Sequence, residues 1–212
     1  MLSDRPTIVW DLGNVLIPWD RAAALARVTG DAQQARELSR TVFTMELNDI
    51  LDAGDDLGAV LEQVELLSPG SAPLVRGYVE NFAHSLGPAD PGCSELLASL
   101  VDAGVRCVGL SNFSAITFAG IPERYPVLQL LEGILISGEV GVTKPNQRIY
   151  ELCEQRFDLL ADSVVFIDDN EANTAAAARR GWRTVTFTGA RELRTELAGM
   201  GLPTGTAQEH RR

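Results

Sequence analysis

Hydrophobic positions along the chain follow two different periods, and the switches between them divide it into three zones. Residues 7–11 (TIVWD) are a short, nearly unbroken apolar run, the pattern of a strand buried on both faces. From about 20 to 87 the spacing is helical. Ala35, Leu38, Val42 and Met45 recur every three or four positions, as do Leu57, Val60, Leu61, Val64 and Leu67. A third series runs through Leu74, Val75, Tyr78, Val79, Phe82 and Leu86. Each series predicts the apolar face of an amphipathic helix. The segments SPGSAP (68–73) and GPADPG (87–92) interrupt the pattern with turn-forming residues.

From about residue 92 the two periods alternate. CSELLASLVDAG predicts a helix closed by Gly104, and VRCVGL a strand that ends at Ser111. After a looser helical stretch, EGILIS predicts a short strand. KPNQRIYELCEQRF places Ile149, Leu152, Cys153 and Phe157 on one helical stripe. SVVFIDD predicts a strand ending on Asp168 and Asp169. NEANTAAAARRG predicts a helix, with Asn170 to cap its start and Gly181 its end. RTVTF and ARELRTELAGM supply a last strand and helix. Apolar strands alternating with helices imply an α/β, doubly wound parallel sheet covered on both faces. The helical zone then becomes an insertion just after the first strand. The expected organisation is a core made of residues 1–17 and 90–212, with a helical unit at 18–89. The polar tail from about 203 is expected to be mobile.

Composition narrows the class. At 212 residues the chain can bury one sizeable core plus a smaller unit. Hydrophobic content of 45% and charged content of 22% are those of an ordinary soluble domain. It holds no apolar run of about 18 residues to span a membrane. The N-terminus lacks the charge and apolar order of a signal peptide. Cys93, Cys107 and Cys153 have no CxxC spacing, so packing in a reduced cytoplasm is the expected setting. A net charge of −11 argues against non-specific binding to nucleic acid or acidic membranes. His84 and His210 are the sole histidines, too few for a His-rich metal site.

In open parallel sheets, ligands bind beyond the carboxyl ends of the strands. Asp11, Ser111, Asp168 and Asp169 fall at those ends, and Lys144 lies in the GVTKP loop after the short strand. Singly, each has an ordinary structural role: a cap, a turn or a solvated charge. Together they gather three carboxylates, a hydroxyl and an ammonium along one edge. Three close carboxylates repel unless a cation joins them. Oxygen ligands of this kind suit Mg²⁺ together with a substrate phosphate, and Lys144 and Ser111 suit the phosphate itself. The set suggests phosphoryl transfer, with Asp11 as nucleophile.

The stretches VWDLGNVL, GLSN, GVTKP and VVFIDDNEANTAAAARRG resemble, in order, the four motifs of the haloacid dehalogenase (HAD) superfamily. The resemblance covers residues about 5–17 and 90–190. It implies a Rossmann-like core, with the inserted helices forming a cap that closes over the site. It also implies roles. Asp11 becomes an aspartyl phosphate, Ser111 and Asn112 bind the phosphoryl group, and Lys144 neutralises phosphate charge and steadies Asp11. Asp11, the main-chain carbonyl of Gly13, Asp168 and Asp169 hold Mg²⁺. Gly13 departs from the pattern, because most phosphatases of the superfamily carry there a second aspartate that protonates the leaving group. The α-glucose-1-phosphate phosphatase-like branch is similar in carrying DLGNV. The proton must then come from water or from a cap residue, and alkyl phosphates are expected to react slowly. Trp19, Arg21, Glu46, Asp49 and Asp52 are the cap residues expected near substrate. The leading expectation is a Mg²⁺-dependent phosphatase of a small phosphorylated metabolite, a sugar phosphate being one candidate. The alternatives are a HAD-fold binding or regulatory protein with impaired turnover, and a haloacid dehalogenase proper.

Overall fold

The computed structural model describes residues 6–54 and 56–205. Most of the tail expected to be mobile, and His210 within it, lie outside the described residues.

Five parallel strands form one sheet in the order β3-β2-β1-β4-β5. They are β1 (Thr7–Trp10), β2 (Cys107–Ser111), β3 (Ile134–Ile136), β4 (Val164–Asp168) and β5 (Arg183–Thr186). The order places β1 at the centre, between β2 and β4. Every residue of β1, β2 and β4 is buried, as a strand covered on both faces requires. Alternate side chains feed two cores. Ile8, Trp10, Cys107, Val165 and Ile167 pack with Leu96, Leu97 and Leu100 of α6 (Pro91–Asp102), which the short α7 (Ala115–Phe118), α8 (Ile121–Arg124) and α9 (Ser137–Val140) follow in the chain, and with Leu193 and Leu197 of α12 (Ala190–Gly199). Val9, Val108, Leu110 and Phe166 pack on the other face with Ile149, Tyr150 and Cys153 of α10 (Gln147–Phe157) and Ala176 and Ala177 of α11 (Glu171–Arg179). The sheet is therefore doubly wound, as the alternating pattern implies. All three cysteines are buried and free, and burial pushes each thiol up to about 12, so they behave as packing groups.

Between β1 and α6 the described residues form five α-helices: α1 (Arg21–Thr29), α2 (Ala32–Thr41), α3 (Met45–Asp52), α4 (Leu57–Leu67) and α5 (Ala72–Glu80). Aspartates start three of them. The side chains of Asp20, Asp31 and Asp56 accept from main-chain N–H groups of the first turn, satisfying donors that the helix cannot. These helices enclose a core of their own, built on Leu25, Phe43, Leu47, Leu51, Val60, Val64, Val75 and Tyr78.

Two of the predicted helical stripes need correction. The series Ala35–Leu38–Val42–Met45 spans two helices, because α2 ends at Thr41 and α3 begins at Met45. The residue buried at that junction is Phe43, while Met45 is half exposed. The series from Leu74 to Leu86 also outruns its helix. α5 stops at Glu80, and Phe82–Ser85 form a 3₁₀ turn. Apolar residues at a turn can keep a helical spacing by chance, and the turn here contributes Phe82 to a contact between the two halves.

The two chain crossings between the sheet and these helices are hydrogen-bonded to each other. Trp19 and Leu86 form an antiparallel bridge. Gly87 N–H donates to the carbonyl of Pro18 at 2.9 Å, Asp20 N–H to Ser85 at 2.8 Å and Asp90 N–H to Leu16 at 2.8 Å. A ladder of rings, Tyr78–Phe82–Phe113–Phe118, runs from α5 to the loop after β2.

Candidate active site

The central strand β1 delivers Asp11 to the carboxyl edge of the sheet, and its neighbours β2 and β4 deliver Ser111 and Asp168 beside it. Asp11 Oδ1 accepts from the Leu12 N–H at 2.8 Å, which fixes the carboxylate as the chain leaves the strand. The turn that follows is tight. Leu16 and Ile17 both donate to the Leu12 carbonyl, and Asn14 takes a left-handed φ of 56°, a conformation asparagine tolerates.

Lys144 joins the strand ends. Its ammonium lies 2.9 Å from Asp11 Oδ1 and 2.7 Å from Asp168 Oδ2, and donates to the Leu110 carbonyl at 3.0 Å. All three charged residues are buried, with exposures of 3%, 7% and 0% for Lys144, Asp11 and Asp168. Asn112 holds the lysine from behind. Its side-chain carbonyl accepts from Lys144 N–H at 2.7 Å and its amide donates to the Lys144 carbonyl at 3.0 Å. The family resemblance puts Asn112 on the phosphate; the structure has both ends of its amide on the main chain of Lys144. Asp168 is held by Asn173, whose amide donates to both carboxylate oxygens at 3.0 and 3.1 Å, and by the Asn170 N–H at 2.8 Å. Asn14 donates to Asp169 Oδ2 at 3.2 Å while accepting from Trp19 N–H at 3.0 Å. Sequence reasoning passed over Asn14 and Asn173. Their signal is position: one follows the Asp11 turn, the other lies on the first turn of α11, five residues after Asp168.

The electrostatics show what this cluster is suited to hold. Oxygens of Asp11, Asp168 and Asp169 all lie within 4.8 Å of one another. Burial pushes Asp11 up to about 7, against the pull of Lys144, and Asp168 and Asp169 push it further the same way. Asp169 is raised by burial and by Asp168. Burial pulls the Lys144 ammonium down, but the charges of Asp11 and Asp168 together outweigh this and hold it above the usual lysine range. Three carboxylates around one ammonium leave an excess of negative charge on all-oxygen donors. That is the chemistry of a hard divalent cation site.

A cavity of about 520 Å³ opens over these groups. Ser111, Gly13 and Lys144 line its floor, with Asp11 and Asp169. Trp19, Asn48, Asp49, Asp52, Phe82 and Leu86 line the side formed by the inserted helices and their connections, and Phe113 adds to an apolar wall. Of the residues expected near substrate, Trp19, Asp49 and Asp52 line the cavity. Arg21 turns away to donate to the Phe43 carbonyl at 3.1 Å and lies over the Trp19 ring, and Glu46 is not among the lining residues. Gly13 has an ordinary negative-side or extended backbone, not a left-handed one. A Cβ there would meet nothing within 4 Å. Its missing side chain therefore leaves open space in the cavity and is not demanded by the backbone.

The model of the haloacid dehalogenase-like hydrolases matches residues 6–181, so the chain belongs to that family of hydrolases. It is 27% identical to a sesquiterpene phosphatase, astK, of Aspergillus oryzae over 186 residues, covering 85% of this chain and 89% of that one. Among solved structures it is similar to a dehalogenase, with a TM-score of 0.70, 18% identity and coverage of 93% and 99% of the two chains. It is also similar to a HAD family enzyme, bt-2542, of Bacteroides thetaiotaomicron in complex with magnesium and inorganic phosphate. There the TM-score is 0.66, the identity 20% and the coverage 87% and 94%. At such identities the two structures speak for the fold. Among the described residues no helix is long and apolar enough to cross a membrane.

Proposed function

We propose that this hydrolase is a Mg²⁺-dependent phosphatase of a small phosphorylated metabolite, and that residues 18–89 form the cap over its site. One observation carries the reading: Asp11, at the end of the central strand, meets Lys144 at 2.9 Å inside a three-carboxylate cluster that faces a cavity of about 520 Å³. The sesquiterpene phosphatase relative, and the magnesium and phosphate held by the bt-2542 enzyme, support it.

The residues divide the work as follows. Asp11, Asp168, Asp169 and the main-chain oxygen of Gly13 would hold Mg²⁺, which supplies positive charge to the phosphoryl oxygens when bound. Asp11 uses a carboxylate lone pair to attack phosphorus, and the bond to the leaving oxygen breaks. Water then attacks the aspartyl phosphate, releasing orthophosphate and restoring Asp11. Lys144, fixed by Asn112, orients Asp11 and neutralises part of the incoming charge. The Ser111 hydroxyl binds the phosphoryl group. Asn14 and Asn173 aim Asp169 and Asp168. The wall of Trp19, Phe82, Leu86 and Phe113 suits a phosphate ester with an apolar body better than a sugar phosphate.

Phosphate release from farnesyl monophosphate, glucose 1-phosphate and p-nitrophenyl phosphate, with Mg²⁺ or with EDTA, tests the reading. Mg²⁺-dependent release, fastest from the apolar ester, is expected. Chloride release from 2-chloropropionate without phosphate release would favour a dehalogenase. A folded protein that binds phosphate esters and releases nothing would favour the binding or regulatory reading that Gly13 suggests.

A further inference from the structure

We propose that Asp52, at the end of α3, is the acid and base that Gly13 cannot be: it protonates the leaving oxygen and then activates the attacking water. The proposal rests on the phosphatase reading. Asp52, from the inserted helices, lines the same cavity as Asp11, Gly13 and Ser111. Its position is fixed by the sheet as well as by its own helix. The buried Ser137 hydroxyl, which follows β3, donates to the Asp52 carbonyl at 2.6 Å, and the Phe113 N–H donates to that hydroxyl at 2.9 Å. The Ser114 hydroxyl donates to the Gly54 carbonyl at 3.3 Å. The carboxyl accepts from Asn48 Nδ2 at 2.6 Å and from the Ser114 N–H, in the loop just beyond Ser111. With its main chain tied to Ser137 after β3 and its carboxyl to the Ser114 N–H after β2, Asp52 stays in register with the strand ends that carry the chemistry.

Its environment suits proton transfer near neutral pH. Burial pushes the Asp52 carboxyl up to about 7, with Asp49 pushing the same way and Arg21 pulling down. Tyr78, on α5, faces it as a neutral phenol, raised by burial. The end of α3 also disfavours a negative charge. In the first step Asp11 attacks phosphorus, the P–O bond electrons pass to the leaving oxygen, and that oxygen takes the Asp52 proton. In the second, the Asp52 carboxylate takes a proton from the water that attacks the aspartyl phosphate. Orthophosphate and the alcohol have then been released, and both aspartates are restored. The slow reaction of alkyl esters expected from Gly13 alone no longer applies.

The test compares dodecyl phosphate, whose leaving group needs a proton, with p-nitrophenyl phosphate, whose leaving group does not. The readout is kcat/KM, which covers the steps up to departure of the leaving group. Asp52→Asn should lower kcat/KM by about 10²–10⁴ for the alkyl ester and by less than about threefold for the aryl ester. It should also produce a pre-steady-state burst of nitrophenol, because water attack has lost its base. In the unmodified protein, kcat/KM for the alkyl ester should fall as pH rises through about 7, with no such fall for the aryl ester. Equal losses on both esters without a burst would reduce Asp52 to a structural tie and overturn the proposal. So would identical high-pH behaviour of the two esters in the unmodified protein, a measurement that needs no variant to fold. Failure to release phosphate from the aryl ester would instead overturn the phosphatase reading.

Discussion

Replacing Lys144 by methionine removes one charge and leaves most of the side-chain volume in place. Its consequences follow from the distances. At 2.9 Å and 2.7 Å from two buried carboxylates, the ammonium gains about 6 kcal/mol from each at an effective dielectric of about 20. Its own desolvation offsets much of that, so the pair of contacts adds little net stability over an apolar arrangement. The variant is not such an arrangement, because both carboxylates stay buried without their counter-charge. Removing one partner of a buried pair costs about 3–5 kcal/mol, a large part of the roughly 5–15 kcal/mol that holds a domain folded. At about 2–4 °C per kcal/mol for a chain of this size, Tm should fall by about 6–20 °C. The pH dependence has a definite sign. Burial already holds Asp11 near 7, far above its unfolded value of 3.8, and loss of the lysine raises it further. A carboxyl raised on folding stabilises the fold when protonated and loses that contribution as pH rises through its folded value. The deficit should therefore be smallest near pH 5 and grow as pH rises past about 7. Urea denaturation followed by circular dichroism, in EDTA, gives both quantities. A deficit under about 1 kcal/mol at pH 7, the value of an exposed pair, would refute the reasoning. So would a deficit that grows as pH falls.

Asp11→Asn should fold normally, since Lys144 keeps Asp168 as a partner at 2.7 Å, yet lose turnover on p-nitrophenyl phosphate; an active variant would sink the nucleophile assignment. Asp168→Ala should weaken Mg²⁺ binding in calorimetric titration, and an unchanged affinity would move the ligand role elsewhere. If the inserted helices close over the site as the proposed cap, their paired linkers must open and re-form together, because Trp19 and Leu86 are bridged and Gly87 donates to Pro18. Hydrogen exchange with and without orthovanadate should then show added protection around 17–20 and 86–90, and protection confined to the strands would count against closure.

Much of the fold was legible because its strands are extreme. β1, β2 and β4 are buried on both faces, so nearly every residue must be apolar, and a run such as SVVFID has few other uses. The starts of helices were legible where a side chain performs the capping, as Asn170 does by accepting from Ala172 N–H at 2.8 Å. The inserted helices were harder. Their apolar spacing continues across the junction at Val42–Thr44, and the decisive residue there, Phe43, lies off the stripe that the spacing suggested. A helix end that lacks a glycine or proline is settled by packing, and Phe43 is drawn in by the Tyr78 ring at 4.5 Å between centroids. Local pattern carries no record of that contact.

The candidate site divides along the same line. Residues delivered by strand ends are legible because parallel strands must finish at one edge, so Asp11, Ser111 and Asp168 are neighbours by topology. Lys144 enters from a loop and was legible by charge: a lysine is almost never buried without a partner, and this one is 3% exposed between two carboxylates. The amides that aim these groups were not legible, because an asparagine near a turn or a helix start has ordinary work to do there. Asn170 does only that work beyond its N–H to Asp168, whereas Asn173, three residues on, grips both Asp168 oxygens. Asp52 is the extreme case. In sequence it ends a helix 41 positions after Asp11, with nothing to separate it from Asp49 or Asp56. Its tie to Ser137 spans 85 positions, and that contact gives one of several acidic residues in the helical segment a fixed place at the mouth of the strand ends. The floor of the cavity thus follows from the sheet's topology, and its roof follows from contacts between the inserted helices and the sheet. In the proposed reaction the leaving group faces that roof, so the residues that would select it are those that pattern alone discriminates least.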